Sequence, residues 1–249
     1  MKPTTVHVEN AAIVYDADAL PAGYGAADVL PRLFEPSWWT ERGAVTGAAP
    51  GRGTSLFLAT EFGHAVLRRY LRGGMVARVN HDRYLYRGVE VSRPFREFDV
   101  LARMTTNGLR VPSPLAALCV REGLFYRAAL LTRRIEPARA LPDRFLDSDF
   151  DWARLGAELR ALFDAGLRHA DLNARNILVH DDTEESWVID LDACRYEPGR
   201  PAAGDRQLAR LRRSLEKLWP EGAPSLDACW HALMAGSQAP SGKAVGGGS

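Results

Sequence analysis

The apolar positions of this chain change period partway along it. Ser55–Thr60 and His64–Leu71 read as strands across the tight turn Glu61-Phe62-Gly63, and Phe125–Thr132 as a further strand, so the first half predicts an antiparallel meander. Between them the spacing lengthens to that of a helix. Ser92 is placed to cap it, the helix begins near Arg93, and Phe95, Phe98, Leu101, Ala102 and Met104 share its inner face. Gly108 is its stop signal. After Glu136–Asp149, a connector punctuated by Pro and Asp, the helical period dominates. Trp152, Leu155, Leu159, Leu162 and Phe163 mark one helix ending near Gly166, and Leu208, Leu211, Leu215 and Leu218 line another. Ser225 can cap a last one through Trp230 and Leu233. Two short strands, Asn176–His180 and Ser186–Asp192, interrupt this half around the polar turn Asp181–Glu185. Residues 1–40 mix short apolar pieces with turn residues and yield no assigned element. The tail from Gly236 is rich in Gly, Ser and Ala and is expected to be disordered.

This order predicts an α+β protein: a β-rich first half with one helix, then a mostly helical second half carrying a small hairpin. The 249 residues suffice to bury a core in one domain or two small lobes. With 46% hydrophobic and 25% charged residues the composition is ordinary for a globular chain, and a net charge of +1 points to no partner by itself. No nucleic-acid partner is expected. The distribution of charge says more. Eight arginines lie between Arg68 and Arg96 against only Asp82 and Glu90, an excess that suits a phosphate, a carboxylate or an acidic lipid surface. A solvated arginine-rich face is the plain alternative. Cys119, Cys194 and Cys229 are odd in number and far apart, which supports neither a disulfide framework nor a zinc site and makes a reducing cytoplasm the default. The N-terminus lacks the apolar core of a signal peptide, and no apolar run approaches the roughly 18 residues of a membrane span, so any membrane association is expected to be peripheral.

Candidate chemistry concentrates in His169-Ala170-Asp171-Leu172-Asn173-Ala174-Arg175-Asn176-Ile177-Leu178-Val179. Phosphoryl transfer needs a carboxylate that orients an acceptor hydroxyl and takes its proton, and a neutral oxygen ligand for Mg²⁺ nearby. Asp171 and Asn176 supply both types, and the apolar strand after them gives a rigid support. The segment resembles the protein-kinase catalytic loop, H-R-D-x-x-x-x-N followed by a strand. Downstream, Val188-Ile189-Asp190-Leu191-Asp192 resembles the strand that ends in the metal-binding aspartate of D-F-G, with Asp190 in that place. Alone, His169 would be a core histidine, Asp171 a turn residue and Asp190 a strand end; the combination carries the reading.

The same resemblance implies supporting parts in the first half. Gly51 and Gly53, in Gly51-Arg52-Gly53-Thr54, stand where a glycine-rich loop covers ATP phosphates, although the full G-x-G-x-x-G is missing. Ala65-Val66-Leu67-Arg68-Arg69 occupies the place of V-A-I-K, so Val66 would face adenine and Arg68, or else Arg69, would replace the phosphate-binding lysine. Arginine keeps the charge but not the geometry of an ammonium group. Glu97 matches the glutamate that steadies this cation, and Thr132, followed by Arg133-Arg134-Ile135, would be the hinge that contacts adenine. The fold implied is two-lobed and protein-kinase-like, with an N-lobe over 1–133, a minimal C-lobe over 134–235 and a disordered tail over 236–249.

More narrowly, the chain resembles the 3-deoxy-D-manno-octulosonic acid (Kdo) kinases of lipopolysaccharide core assembly. The resembling residues include Trp39, Gly43–Gly47, Gly51–Thr54, Leu67-Arg68-Arg69-Tyr70-Leu71-Arg72-Gly73-Gly74, Asp82–Leu85, Phe95–Phe98, Val111–Pro114 and Tyr126–Ala128. The Arg-Tyr-x-Arg-Gly-Gly stretch is more specific than the catalytic loop. The resemblance implies an ATP- and Mg²⁺-dependent kinase acting on the 4-hydroxyl of Kdo attached to a lipid A precursor. It would work peripherally on the anionic cytoplasmic face of the inner membrane. No A-P-E segment follows Asp192, so the platform that holds a peptide in protein kinases is largely missing, which favours a small or lipid-linked acceptor. The alternatives are another kinase-fold small-molecule phosphotransferase, an atypical protein kinase, and a pseudokinase, against which Asp171, Asn176 and Asp190 argue. Glycosyltransfer, prompted by the D-x-D of Asp190–Asp192, fails because no nucleotide-sugar α/β unit precedes it.

Overall fold

A computed structural model describes residues 1–49, 55–70 and 84–238. The chain divides into two compact units, Met1–Ile135 and Glu136–Ser249.

The first unit is built on one sheet. Its strands are β1 (Pro3–Val8), β2 (Ala11–Asp16), β3 (Val45–Ala49), β4 (Ser55–Thr60), β5 (Gly63–Arg69), β6 (Tyr84–Leu85), β7 (Pro114–Glu122) and β8 (Phe125–Arg133). They run in the order β1-β2-β7-β8-β5-β4-β3, with β6 also on β8, and every pair is antiparallel. The expected strands are present as β4, β5 and β8, with β5 antiparallel to both of the others, but β6, a helix and β7 intervene in the chain before β8, so the three are not a simple meander. The β1–β2 hairpin, in a stretch where the sequence yields no element, extends it through β7.

One face of the sheet buries Ile13, Leu58, Ala65, Leu67 and Leu131 against Leu30, Leu33, Phe34, Trp38 and Trp39. The latter come from a 3-10 turn, Leu30–Phe34, and from α1 (Pro36–Glu41). The Trp39 indole N–H donates to the Leu33 carbonyl at 2.8 Å, so this large ring is buried without an unpaired donor. The opposite face carries α2 (Arg93–Thr106), whose buried side includes Phe95, Phe98, Leu101 and Met104, as its period requires. Ser92 stands at the N-cap, but its hydroxyl donates to the Val89 carbonyl at 2.5 Å and caps no helix N–H, a correction to its expected role. The helix ends as expected at Gly108 (φ +71°): the Gly108 N–H reaches the Thr105 carbonyl and the Leu109 N–H the Met104 carbonyl, a Schellman closure.

The second unit holds α3 (Trp152–Asp164), α4 (Asp205–Leu218) and α5 (Leu226–Gln238) with two small sheets. The strands are β9 (Ala138–Ala140), β10 (Leu167–Arg168), β11 (Ile177–His180), β12 (Ser186–Val188) and β13 (Arg195–Tyr196). β11 pairs with both β12 and β9, so the expected connector contributes a strand. The strand expected to reach Asp192 stops at Val188. Helices α3 and α5 cross so closely that a Cβ on Gly156 would lie 1.9 Å from the Leu233 carbonyl oxygen, and one on Gly236 would lie 1.9 Å from that of Ala153. Gly236 therefore belongs to a packed helix that runs to Gln238, which corrects the expected start of a disordered tail; residues 239–249 lie outside the described residues.

Candidate active site

The catalytic-loop residues follow β10 in the second unit, and α4 holds the loop from beneath. Gln207, buried on α4, accepts the His169 backbone N–H at 2.6 Å and donates to the Leu167 carbonyl at 3.3 Å. Seven residues along the same helix, the Ser214 hydroxyl accepts the Ala174 N–H at 3.1 Å. Two residues of an otherwise ordinary amphipathic helix thus satisfy loop donors that local structure leaves open. His169 is buried, its Nδ1 accepts the Asp171 N–H at 3.1 Å, and its Nε2 lies 3.1 Å from the Ile189 carbonyl. Nδ1 must then be bare and Nε2 protonated, so the ring is neutral. Burial pushes its pKa below the ordinary value, and Arg210 adds to that. The Ile189 carbonyl, Asp190 and Asp171 pull the other way.

Asp171 is exposed and fixed at its backbone from several directions. The Asn173 amide donates to the Asp171 carbonyl at 3.1 Å and to its carboxylate at 3.3 Å, and the Asn176 amide donates to the same carbonyl at 3.0 Å. A short 3-10 turn, Ala174–Asn176, led by the Asn173 side chain, then feeds β11. The Asn176 carbonyl accepts the Ile189 N–H at 2.9 Å, so the residue before Asp190 is tied to Asn176. Asp190 itself has φ +59°. A non-glycine residue in this left-handed region costs about 1–2 kcal/mol, the kind of strain that clusters at functional positions. Among the described residues no group of three or more His, Cys, Asp or Glu could hold a metal ion. Because the Asn176 NH₂ is spent on Asp171, its amide oxygen is the acceptor left over. That oxygen and the Asp190 carboxylate are hard oxygen donors of the kind that would suit Mg²⁺.

The residues expected on the nucleotide side lie in the first unit. Val66 and Thr132 are cross-strand partners on β5 and β8, on the sheet face opposite the Ala65–Leu67 core. Arg68 follows on the same face, and its Nη2 forms a salt bridge with Glu97 of α2, which is 3% exposed. The expected cation–glutamate pair is therefore formed by Arg68. Tyr70 completes it: its hydroxyl donates to the same Glu97 oxygen, and Arg68 Nη2 lies 3.3 Å from that hydroxyl. Gly51 and Gly53 lie outside the described residues. No motif or spacing in the sequence marks Gln207 or Ser214 as supports of the loop; the Arg-Tyr-x-Arg-Gly-Gly stretch singles out the neighbourhood of Tyr70.

An antiparallel sheet with its helix, followed by a minimal helical unit that carries this loop, is the architecture of a kinase-like phosphotransferase. Residues 36–236 match the Lipopolysaccharide kinase (Kdo/WaaP) family, and the chain belongs to that family, whose members transfer phosphate to an alcohol. A 3-deoxy-D-manno-octulosonic acid kinase of Stenotrophomonas maltophilia is 44% identical over 188 residues, 75% of each chain. One of Xylella fastidiosa is 42% identical over 200 residues, covering 80% of this chain and 79% of the relative. The solved structure of WaaP in complex with acyl carrier protein superposes with a TM-score of 0.51 at 14% identity, over 84% of this chain and 85% of that one, a likeness of fold. The family and the kinase-like α+β fold read from the sequence are borne out.

Proposed function

We propose that this enzyme transfers the γ-phosphoryl group of ATP, with Mg²⁺, to the 4-hydroxyl of Kdo carried on a lipid A precursor. The observation that carries the transfer chemistry is the exposed carboxylate of Asp171, which accepts from the Asn173 amide on a backbone held by His169, Asn173 and Asn176. Asp171 orients the acceptor hydroxyl and takes its proton as the new acceptor O–P bond forms and the bond from the γ-phosphorus to the ADP oxygen breaks. The proton leaves Asp171 for solvent once product departs. Asn176 and Asp190 would hold the cation, whose charge offsets that of the phosphates.

Nucleotide-handling residues fall in 1–133 and transfer residues in 134–235. Val66 and Thr132 flank adenine, Gly51 and Gly53 belong to the stretch expected at the phosphates, and Arg68, steadied by Glu97, adds a fixed positive charge. The acceptor is supported by the names of the relatives and by the arginine-rich stretch from Arg68 to Arg96, which suits a sugar carboxylate beside lipid phosphates. The same stretch supports peripheral contact with the anionic cytoplasmic face of the inner membrane. No described helix is long and apolar enough to cross a membrane.

Radiolabelled ATP, Mg²⁺ and a Kdo-bearing lipid A precursor should yield label on the sugar, with NMR placing phosphate at the 4-hydroxyl. Label that appears only on a peptide or on an unrelated alcohol would replace this acceptor with another kinase-fold activity.

A further inference from the structure

Replacing a lysine by Arg68 raises a physical problem that the first unit answers with Tyr70. An ammonium group can rotate its three donors toward one carboxylate, whereas a guanidinium is a rigid planar fork that one carboxylate oxygen does not fully orient. Here a single Glu97 oxygen accepts from both Arg68 Nη2 and the Tyr70 hydroxyl, and Arg68 Nη2 also faces that hydroxyl at 3.3 Å. The Arg68 guanidinium carbon lies 4.7 Å from the centre of the Tyr70 ring, so the same side chain also presents a π-face to it. Arg93, the first residue of α2, lies 5.8 Å from that ring and 4.8 Å from the ring of Tyr84, and its backbone N–H donates to the Tyr126 hydroxyl at 3.1 Å. Tyrosines from β5's end, β6 and β8 thus meet the start of the helix that carries Glu97.

We infer that Tyr70 is a positioning residue for phosphoryl transfer: its hydroxyl locks the plane of Arg68 against Glu97, the role a rotating ammonium makes unnecessary. The inference rests on the reading of Arg68 as the phosphate-binding cation. A core tyrosine with no such role would need a partner for its hydroxyl but would have no bearing on nucleotide handling.

The test is a double-mutant cycle on the full chain, with Tyr70→Phe, Arg68→Lys and their combination, alongside Arg68→Ala. Steady-state KM for ATP, kcat, acceptor KM and the thermal midpoint are measured for each. Tyr70→Phe keeps the ring and removes the hydroxyl. It should lower kcat/KM for ATP about 10- to 100-fold, the range spanned by hydrogen bonds to charged groups, and leave acceptor KM unchanged. In the Arg68→Lys background the same change should cost less than about threefold, because an ammonium reorients by itself. A Tyr70→Phe enzyme with a lower thermal midpoint but unaltered ATP parameters would overturn the positioning role and leave Arg68 in place. An equal penalty in both backgrounds would overturn it too. Unaltered ATP kinetics in Arg68→Ala would instead remove the reading of Arg68, and this inference with it.

Discussion

At the scale of single residues, the proposed chemistry assigns Asp171 to the acceptor and leaves His169, Asn173 and Asn176 to hold its backbone. Asp171→Asn keeps the backbone bonds to His169, Asn173 and Asn176 but loses the base, so transfer should fall by at least about a hundredfold, as for other general bases. Nucleotide affinity should stay near that of the wild type; single-turnover kinetics and ATP titration check the two halves separately. His169 gives a pH dependence. Burial holds its pKa below the ordinary 6.5, so between those two values the unfolded chain binds a proton that the folded chain refuses. The associated stability is complete above about pH 6.5 and is lost as the pH falls toward the depressed folded value. Urea midpoints should drop between pH 7.5 and 5.5, and His169→Gln should make that drop smaller. The spacing of His169, Asp171 and Asn176 was legible because it is local and its residue types are demanded by the chemistry. The left-handed backbone of Asp190 and the hydroxyl of Tyr70 were not: the first is a dihedral angle, and the second acts across to a helix distant in sequence.

Elements were legible where their own period decides them and obscure where a distant neighbour does. Helix α2, with its apolar face and Gly108 stop, needed no knowledge of its partners. The β1–β2 hairpin did. Its turn is Glu9-Asn10, which lacks the usual hairpin glycine, β1 is only half-buried, and β2 gains its second neighbour from β7, far along the chain. The C-terminal end of α5 misled for the opposite reason. Small residues look like a flexible tail in composition, yet Gly236 is small because the Ala153 carbonyl approaches it. The two readings predict opposite signs. In an exposed or loose helix Gly236→Ala would gain about 1 kcal/mol from helix propensity. Against a backbone oxygen 1.9 Å away that cannot yield, it should instead destabilise, by about 1–3 kcal/mol or more. A thermal melt of Gly236→Ala decides, and a raised midpoint would show that α3 and α5 do not pack as described.

For the whole molecule, the succession of a strand-rich unit and a helical unit was readable from the order of periods, and the family from stretches far more specific than any period. In the proposed function the acceptor is reached through charge. A chain with a net charge of +1 has no general affinity for anions, so the arginine excess from Arg68 to Arg96 must act locally if it acts at all. Arg72, Arg78 and Arg83 belong to this stretch and lie outside the described residues. If the stretch receives a carboxylated sugar on an anionic lipid, neutral replacements at Arg72, Arg78 or Arg83 should raise acceptor KM severalfold and leave ATP KM close to that of the wild type. Arg68, by contrast, should move the ATP parameters. Binding of the wild type to vesicles of anionic phospholipid should weaken steeply with salt, as the Debye length shrinks from about 10 Å at 0.1 M to about 3 Å at 1 M, and the neutral variants should start weaker and respond less. A merely solvated arginine face predicts neither change. Unaltered acceptor kinetics together with salt-independent vesicle binding would separate the arginine stretch from the acceptor, while the kinase chemistry at Asp171 would stand on its own geometry.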